Sequence, residues 1–325
     1  MKSRSLSIIL ILILSLSLFA GCSKKKSQAE NNAQQKKIAV VVSTLNNPWF
    51  VTLGQTAAAK ARELGYQTTI FNSQNDNSKE ADIFDNIIAA GYSAILFNPT
   101  DSKGSVSNVV KAKKAGIPTF CMDREIDSKD AAVSQILSDS YSGAVKMGQY
   151  FVKVMNKKGN YVELLGLVGD NNTWMRSKGF HSVVDNYPKL KMVAQQSADF
   201  DRNKAMDVME SILQAHPDIN AVFCGNDAMA MGAYQALVAA GLQKKVKVFG
   251  FDGAKDAIDA LRKGEIAATC MQFPRVMAKK AAEMADEYLK GKRNFPSKIP
   301  VSVDLVTPEN VDQFVPYGKK QNENN

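Results

Sequence analysis

The stretch Val42-Ser-Thr-Leu-Asn-Asn-Pro-Trp-Phe50 connects a predicted buried strand to a predicted helix. The apolar run from Ile38 to Val42 is typical of a strand inside a parallel sheet. Pro48 suits the first turn of a helix, because its missing N–H leaves no hydrogen bond unmade there. Small polar groups and two aromatic residues at the carboxyl end of such a strand favour a small-ligand site. The alternative is a plain strand–turn–helix junction with an Asn cap and two core aromatic residues.

Strand-like and helical segments alternate from Ile38 onward. The predicted strands are 38–43, 67–72, 94–98, 119–122, 133–137, 161–165, 192–197, 221–224, 246–251, 267–271 and 300–305. The predicted helices are 52–64, 79–90, 106–115, 143–157, 174–187, 203–215, 228–240, 255–263 and 275–290. Repeated β–α units call for parallel sheets with right-handed crossovers. Since roughly 285 residues lie near the size limit of one core, we predict two doubly wound α/β lobes, with a break near Ser138.

Residues 1–22 have the pattern of a secretory signal peptide. Lys2 and Arg4 give a positive start, an apolar run follows over 6–18, and the segment ends in Ala-Gly-Cys22. This ending resembles a bacterial lipobox, which predicts that Cys22 is lipidated. The polar residues 23–36 then predict a disordered tether. An ordinary cleaved signal and an uncleaved anchor are the alternatives.

The charge pattern and the cysteines argue against two kinds of site. The formal charge of +9 is spread along the chain, without a basic run interleaved with aromatic residues, so nucleic acid is not predicted as a partner. Cys121, Cys224 and Cys270 form an odd set without the spacing of a disulfide framework or a zinc site. We predict that all three are small buried apolar residues.

The sequence contains no recognisable catalytic motif. Its two histidines, His181 and His216, do not lie in a nucleophile–base pattern. A nucleophile elbow, a phosphate loop, a dinucleotide fingerprint and a zinc-protease helix are all absent from the sequence. We therefore predict a protein that is not an enzyme and that needs no metal or cofactor.

Polar side chains stand at the ends of most predicted strands. They are Ser43, Asn47, Asn98, Asp123, Arg124, Ser138, Asn226, Asp252 and Gln272, and Arg176 begins a predicted helix. Carboxyl ends of parallel strands are where open α/β sheets bind ligands. A mixture of carboxylates, guanidinium groups and amides suits a neutral ligand with many hydroxyl groups. The alternative is that each polar residue is only a loop or helix cap.

From about Lys37 to Leu305 the chain resembles the periplasmic ribose-binding proteins, which supply ABC sugar transporters. Besides 42–50, the resemblance is carried by Asn98-Pro-Thr-Asp-Ser102, Asp123-Arg124, Ala198-Asp-Phe-Asp-Arg202, Ala215-His-Pro-Asp218, Asn226-Asp227, Gly250-Phe-Asp-Gly253 and Ala268-Thr-Cys-Met-Gln272. It implies the type I periplasmic binding protein fold, in which two Rossmann-like lobes joined by three hinge crossings close on one sugar. The chain departs from the family at Trp49, where ribose binders usually carry Phe, and around 174–178.

The same resemblance implies a set of sugar-binding residues. The hydrogen-bonding groups would be Asn47, Asp123, Arg124, Arg176, Asn226, Asp252 and Gln272. The aromatic faces that stack on the sugar would be Trp49, Phe50 and Phe200. Ser43, Asn98 and Ser138 would support these residues from behind.

The resemblance also implies where the lobes divide. Crossings near Ser138, Gln272 and Ser302 would give an N-terminal lobe of 37–138 plus 273–301. The C-terminal lobe would then be 139–272 plus 302–317. A polar tail, 318–325, is expected to be disordered.

These observations lead to a functional expectation. The chain is expected to be a monomeric sugar receptor, lipid-anchored outside the cytoplasmic membrane, that delivers a monosaccharide to the membrane subunits of an ABC permease. D-ribose is the first candidate ligand. A receptor for a sugar, polyol or quorum signal with a chemotactic or signalling output is the alternative. A sugar-responsive repressor is a third interpretation, but a signal peptide occupies the place of its DNA-binding headpiece.

Overall fold

The computed structural model describes residues 36–320, which belong to one compact unit. The predictions for the signal peptide, for Cys22 and for nearly all of the tether lie outside these residues. Within 36–320, no helix is both long and apolar enough to span a membrane.

Strands and helices alternate through most of the described chain. The strands are β1 (Lys37–Val42), β2 (Gln67–Asn72), β3 (Ala94–Phe97), β4 (Thr119–Asp123), β5 (Ser134–Ser138), β6 (Gly159–Leu165), β7 (Leu190–Ser197), β8 (Ala221–Cys224), β9 (Lys247–Phe249), β10 (Thr269–Met271), β11 (Lys298–Val301), β12 (Asp304–Val306), β13 (Phe314–Val315) and β14 (Gly318–Lys319). The helices are α1 (Pro48–Glu63), α2 (Asn77–Ala89), α3 (Val106–Lys114), α4 (Ser140–Val154), α5 (Asn171–Val184), α6 (Arg202–Ala215), α7 (Asp227–Ala239), α8 (Lys255–Arg262) and α9 (Pro274–Leu289), with a short 3-10 helix at Val311–Gln313.

The first sheet has six parallel strands in the order β11-β5-β4-β3-β1-β2. Side chains alternate across it with the period of two that a strand imposes. Ile38, Val40 and Val42 pack with α1 and α9 on one face. Ala39 and Val41 pack with α2 and α3 on the other. Burial on both faces explains why this strand reads as an unbroken apolar run.

The second sheet has four parallel strands in the order β7-β6-β8-β9. Its two faces are covered in the same way. Helices α4 and α5 pack on one side, against Tyr161 and Phe223. Helices α6, α7 and α8 pack on the other, against Val162 and Val222. The predicted two-sheet α/β architecture is therefore confirmed.

The chain passes between the two sheets three times. It leaves the first sheet after β5, returns to it from β10 into α9, and leaves it again after β11. The predicted single strand 300–305 is wrong, because β11 ends at Val301 in the first sheet while β12 pairs antiparallel with β10. Strand β14 pairs with β13, so ordered structure extends past the predicted start of the tail at Gly318. The exact lobe boundaries stay a prediction.

Several local expectations are also met. Cys121, Cys224 and Cys270 are free and fully buried, as predicted for apolar core residues. Gly65 and Gly91 follow α1 and α2 with φ of 95° and 65°, in the left-handed region that a helix C-terminus requires and that glycine adopts without strain.

Candidate functional site

A cavity lies between the two sheets, where the carboxyl ends of their strands face one another. About 240 Å³ of space in and around it is not filled by atoms, and part of that space is open to solvent. Its lining residues are Asn47, Trp49, Phe50, Asp123, Arg124, Asp170, Asn172, Arg176, Phe200, Asn226, Asp252 and Gln272. The structure thus brings together all ten residues that the sequence predicted to touch a ligand. Their role in binding stays a prediction.

The loop after β1 supplies one wall. Asn47 is the N-cap of α1, and its Oδ1 accepts a hydrogen bond of 2.9 Å from the Trp49 backbone N–H. The Asn cap of the plain-junction alternative is therefore present, and the same residue also lines the cavity. The rings of Trp49 and Phe50 lie 5.1 Å apart at an interplanar angle of 75°. The two rings on this wall of the cavity are therefore steeply inclined to one another.

Asp123 and Arg124 leave the end of β4. Asp123 has φ of 66°, a strained conformation for a non-glycine residue that the surrounding hydrogen bonds must hold in place. Asn98 provides such bonds, because its Nδ2 donates to Met122 O at 3.1 Å and to Asp123 Oδ2 at 3.3 Å. Ser43 Oγ in turn donates to Asn98 Oδ1 at 2.8 Å. Ser43 and Asn98 do not line the cavity, and they act by holding Asp123.

Arg176 projects from α5 in the second lobe. Its Nη1 donates to Gly225 O at 2.7 Å and lies 3.7 Å from Asp252 Oδ1. Its guanidinium lies 4.1 Å from the centre of the Phe251 ring, a cation–π distance. Asn226, at the end of β8, caps α7 by accepting from the Met229 N–H at 2.9 Å. These contacts fix both side chains against the cavity wall.

A series of side-chain hydrogen bonds lies in the hinge region. Gln272 Nε2 donates to Asp252 Oδ1 at 2.6 Å, and Ser138 Oγ donates to Gln272 Oε1. Ser138 ends β5 at one crossing between the sheets, and Gln272 follows β10 at another. This series of hydrogen bonds ties the position of the Asp252 carboxylate to the geometry of the hinge.

Phe200 lies in the loop before α6 with φ of 61°. Its ring occupies space that only glycine at position 166 leaves free, because a Cβ built on Gly166 would lie 2.0 Å from Phe200 Cζ. The glycine at the end of β6 therefore permits the aromatic ring to close the cavity from the second lobe.

Two lining residues were missed by the sequence reasoning, Asp170 and Asn172. Arg124 Nε lies 2.6 Å from Asp170 Oδ2, and the side chains of both residues are 2% exposed. Asn172 Nδ2 donates to Asp123 Oδ1 at 3.2 Å. The available signal was Asp170 as the N-cap of α5, but it stands five residues beyond the end of β6 at Leu165. A search confined to strand ends passes over it.

These contacts join the two lobes directly. Besides the Arg124–Asp170 ion pair, the Ser102 backbone N–H donates to Gly169 O at 2.9 Å. Residues from both lobes thus enclose the cavity, and Trp49 on its wall is only 2% exposed. We call this arrangement the closed form.

Two carboxyl groups of the cavity, those of Asp123 and Asp252, are hard to ionise in the closed form. Burial, together with repulsion from Asp170, raises the pKa of Asp123 to about 7, although Arg176 and Arg124 oppose the shift. Burial likewise raises the pKa of Asp252 to about 7, against the influence of Arg176 and the hydrogen bond from Gln272. Closing the cleft therefore opposes the ionisation of both groups.

We expect acid pH to favour the closed form of the sugar-free protein. Opening the cleft to water returns the pKa of Asp123 and Asp252 toward the ordinary value near 4. Because the closed form then binds more protons between about pH 4 and 7, its population rises as the pH falls through this range. Small-angle X-ray scattering at pH 5 and pH 8 measures this as a smaller radius of gyration at pH 5. Asp123→Asn removes one titrating group and should weaken the dependence, whereas a radius independent of pH in the parent protein would contradict it.

Arg124 Nε lies close to Asp170 without hydrogen-bond geometry, and three further nitrogen donors of the cavity residues are buried without a hydrogen-bond acceptor among residues 36–320. They are Trp49 Nε1, Arg124 Nη2 and Arg176 Nε. A buried donor that makes no hydrogen bond costs about 1–3 kcal/mol. The cavity therefore favours a ligand whose oxygen atoms accept hydrogen bonds.

Comparison with known proteins identifies the family and the fold of this chain. The family model described as a periplasmic binding protein domain matches residues 38–293. The chain therefore belongs to the periplasmic binding protein family, and its fold is the type I fold of that family.

Relatives of this family match nearly the whole described chain. A D-apiose import binding protein of Paraburkholderia graminis is 45% identical over 278 residues, covering 85% of this chain and 89% of the relative. The ribose import binding protein of Escherichia coli is 41% identical over 280 residues, covering 86% and 93%. A solved ABC transporter solute-binding protein of Actinobacillus succinogenes with bound D-allose has a TM-score of 0.80 at 31% identity, covering 86% and 100%. These relatives are named as binding proteins of transporters, not as enzymes.

Proposed function

We propose that this chain binds one monosaccharide in the cavity between its lobes and presents it to an ABC importer. The observation that carries the proposal is the composition of one closed cavity. Three carboxylates, two guanidinium groups, four amides and three aromatic rings converge there. Sugar hydroxyl groups donate to carboxylates and accept from guanidinium groups, and amides do both. Aromatic rings cover the apolar C–H faces of the sugar ring.

The charge of the cavity supports a neutral ligand. Three acidic side chains, Asp123, Asp170 and Asp252, face only two basic ones, Arg124 and Arg176, and the raised pKa of Asp123 and of Asp252 keeps the net charge of the set near zero at neutral pH. A phosphorylated or acidic sugar would bring further negative charge beside three buried carboxyl groups. In a site of low dielectric constant such repulsion is strong. The proposal therefore excludes sugar phosphates and sugar acids as the main ligands.

We propose a pentose as the ligand. The resemblance in the sequence favours D-ribose, while the relative from Paraburkholderia graminis is named for D-apiose. Trp49 is larger than the Phe of ribose binders, so it changes the space available to the sugar. D-ribose and D-apiose are therefore the two ligands that the proposal ranks first.

The transport role is part of the same proposal. Lipidation at Cys22 would hold the protein at the outer surface of the cytoplasmic membrane, and the closed form would dock as a monomer on a permease. Ligand shifts the protein to the closed form because the bound sugar contacts both lobes only there.

Isothermal titration of the chain from Lys36 onward tests the proposed ligand class. The protein is first unfolded and refolded to remove carried-over sugar. It is then titrated with D-ribose, D-apiose, D-allose, L-arabinose, D-galactose and myo-inositol, with ribose 5-phosphate as the charged control. We expect one-to-one binding, tightest for D-ribose or D-apiose, and at least roughly tenfold weaker binding of the phosphate because like charges disfavour it. If none of the neutral sugars and polyols binds, the result would contradict the proposal.

A further inference from the structure

We propose that Trp49 binds the sugar through its indole N–H, as a hydrogen-bond donor that selects for an acceptor oxygen at one position of the ligand. The inference rests on the proposed sugar-binding function and deepens it. It changes the role of Trp49 from a stacking face, which a Phe would supply equally well, to a polar contact that a Phe is unable to make.

The first observation is the state of the indole nitrogen. Trp49 lines the cavity, is 2% exposed and otherwise packs in the core of the first lobe. Its Nε1 has no hydrogen-bond acceptor within residues 36–320. A buried Trp N–H usually has a partner, because leaving it unpaired is costly. Because Trp49 lines the cavity, an oxygen of the ligand is the acceptor that we assign to this nitrogen.

The second observation is the orientation of the neighbouring ring. Phe50 and Trp49 stand at 75° to one another. A sugar ring that lies flat on Phe50 is therefore steeply inclined to the indole plane and does not stack flat on Trp49. Phe200 is a further aromatic wall of the same cavity. Stacking faces are thus available without Trp49, while the indole N–H is available from Trp49 alone among the aromatic residues of the cavity.

The chain contains an internal control. Its other tryptophan, Trp174, is 39% exposed, and its Nε1 donates to Val168 O at 2.8 Å. This indole already has a protein acceptor outside the cavity. Sugar binding should therefore change the hydrogen bonding of one indole and leave the other as it is.

Nuclear magnetic resonance of the chain from Lys36 onward, labelled with ¹⁵N at the indole nitrogens, reads both groups at once. Trp174→Phe assigns the two signals. On addition of the sugar that binds tightest in the titration panel, we expect the Trp49 indole proton to move downfield and to exchange more slowly with water. The Trp174 proton should change little. A Trp49 signal that keeps its shift and its exchange rate when sugar is bound would overturn the inference.

Substitution tests the energetic side. Trp49→Phe should weaken binding of the preferred sugar about tenfold, the expected effect of losing one buried hydrogen bond. Replacement of Trp49 by benzothienylalanine keeps the ring size and removes only the N–H, so it should give a similar loss. Among singly deoxygenated analogues of the sugar, the one that lacks the acceptor should bind the parent protein and the benzothienylalanine variant equally.

The outcomes separate the inference from the function on which it rests. If the parent protein binds no sugar, the proposed function fails and the inference fails with it. If the parent protein binds but the benzothienylalanine variant binds within twofold of it, the sugar site stands and the donor role of Trp49 is wrong. A loss in Trp49→Phe alone would show that the size of the indole matters and its N–H does not.

Discussion

The Arg124→Met variant should bind the sugar more weakly by on the order of 100-fold or more. In the closed form this change leaves Asp170 and Asp123 buried without the guanidinium beside them. Removing one partner of a buried ion pair costs about 3–5 kcal/mol, and each 1.4 kcal/mol is a factor of ten in affinity. Because the pair spans the two lobes, the cost arises when the cleft closes. Isothermal titration measures the loss.

Two comparisons make this expectation specific. The free energy of unfolding of the sugar-free protein should change little if its cleft opens, since water then solvates Asp170. Arg62→Met is the matched control, because Arg62 is exposed on α1 and donates only to Thr68 Oγ1 at 2.8 Å. Equal affinities of the Arg124→Met and Arg62→Met proteins would contradict the role of Arg124 in the closed cavity.

The Asp227→Ala variant should lose about 3 kcal/mol of folding stability and most of its sugar affinity. Asp227 is fully buried at the start of α7. Its Oδ2 accepts from the backbone N–H groups of Gly253 and Ala254 at 2.8 Å each, and its Oδ1 accepts from Thr269 Oγ1 at 2.6 Å. Alanine leaves these buried donors unpaired, at about 1–3 kcal/mol for each buried group that finds no water.

The effect on affinity has a separate cause. Asp252 lines the cavity and directly precedes Gly253 and Ala254, the two residues whose N–H groups donate to Asp227. Its φ of 129° is a conformation that requires support from its surroundings. Urea unfolding and sugar titration measure the two effects on the same protein. Asp207→Ala is the control, because Asp207 is exposed on α6 and its loss should stay within about 0.5 kcal/mol. Unchanged stability of Asp227→Ala would contradict the hydrogen-bond assignment.

The gathering of strand-end residues into one cavity was predictable from the sequence. Asn47, Asp123, Asn226 and Asp252 each follow an apolar run closely, and parallel strands place their carboxyl ends at one edge of a sheet. The sequence patterns show where each strand ends, so the edge residues follow from the fold class. The support given by Asn98 to Asp123 follows the same rule, since Asn98 directly follows the neighbouring strand β3.

The parts that were missed depend on contacts between lobes or on local caps. Asp170 lines the cavity because a loop of the second lobe reaches Arg124 of the first. The hydrophobic periodicity of a single sequence gives no information about such a contact between lobes. Helices α4 and α5 begin three residues earlier than predicted, because Asp139 and Asp170 cap them with polar first turns. The break at 302–303 divides a run with a continuous strand-like pattern, because its first half pairs with β5 and its second half pairs with β10.

The crystal structure of the complex between the chain from Lys36 onward and its tightest-binding sugar tests the central claim most directly. We expect the sugar between the lobes, with hydroxyl groups within about 3 Å of the carboxylates of Asp123 and Asp252. We also expect the Arg124–Asp170 pair to be retained beside it. A sugar bound outside this cavity, or one that touches neither carboxylate, would contradict the account.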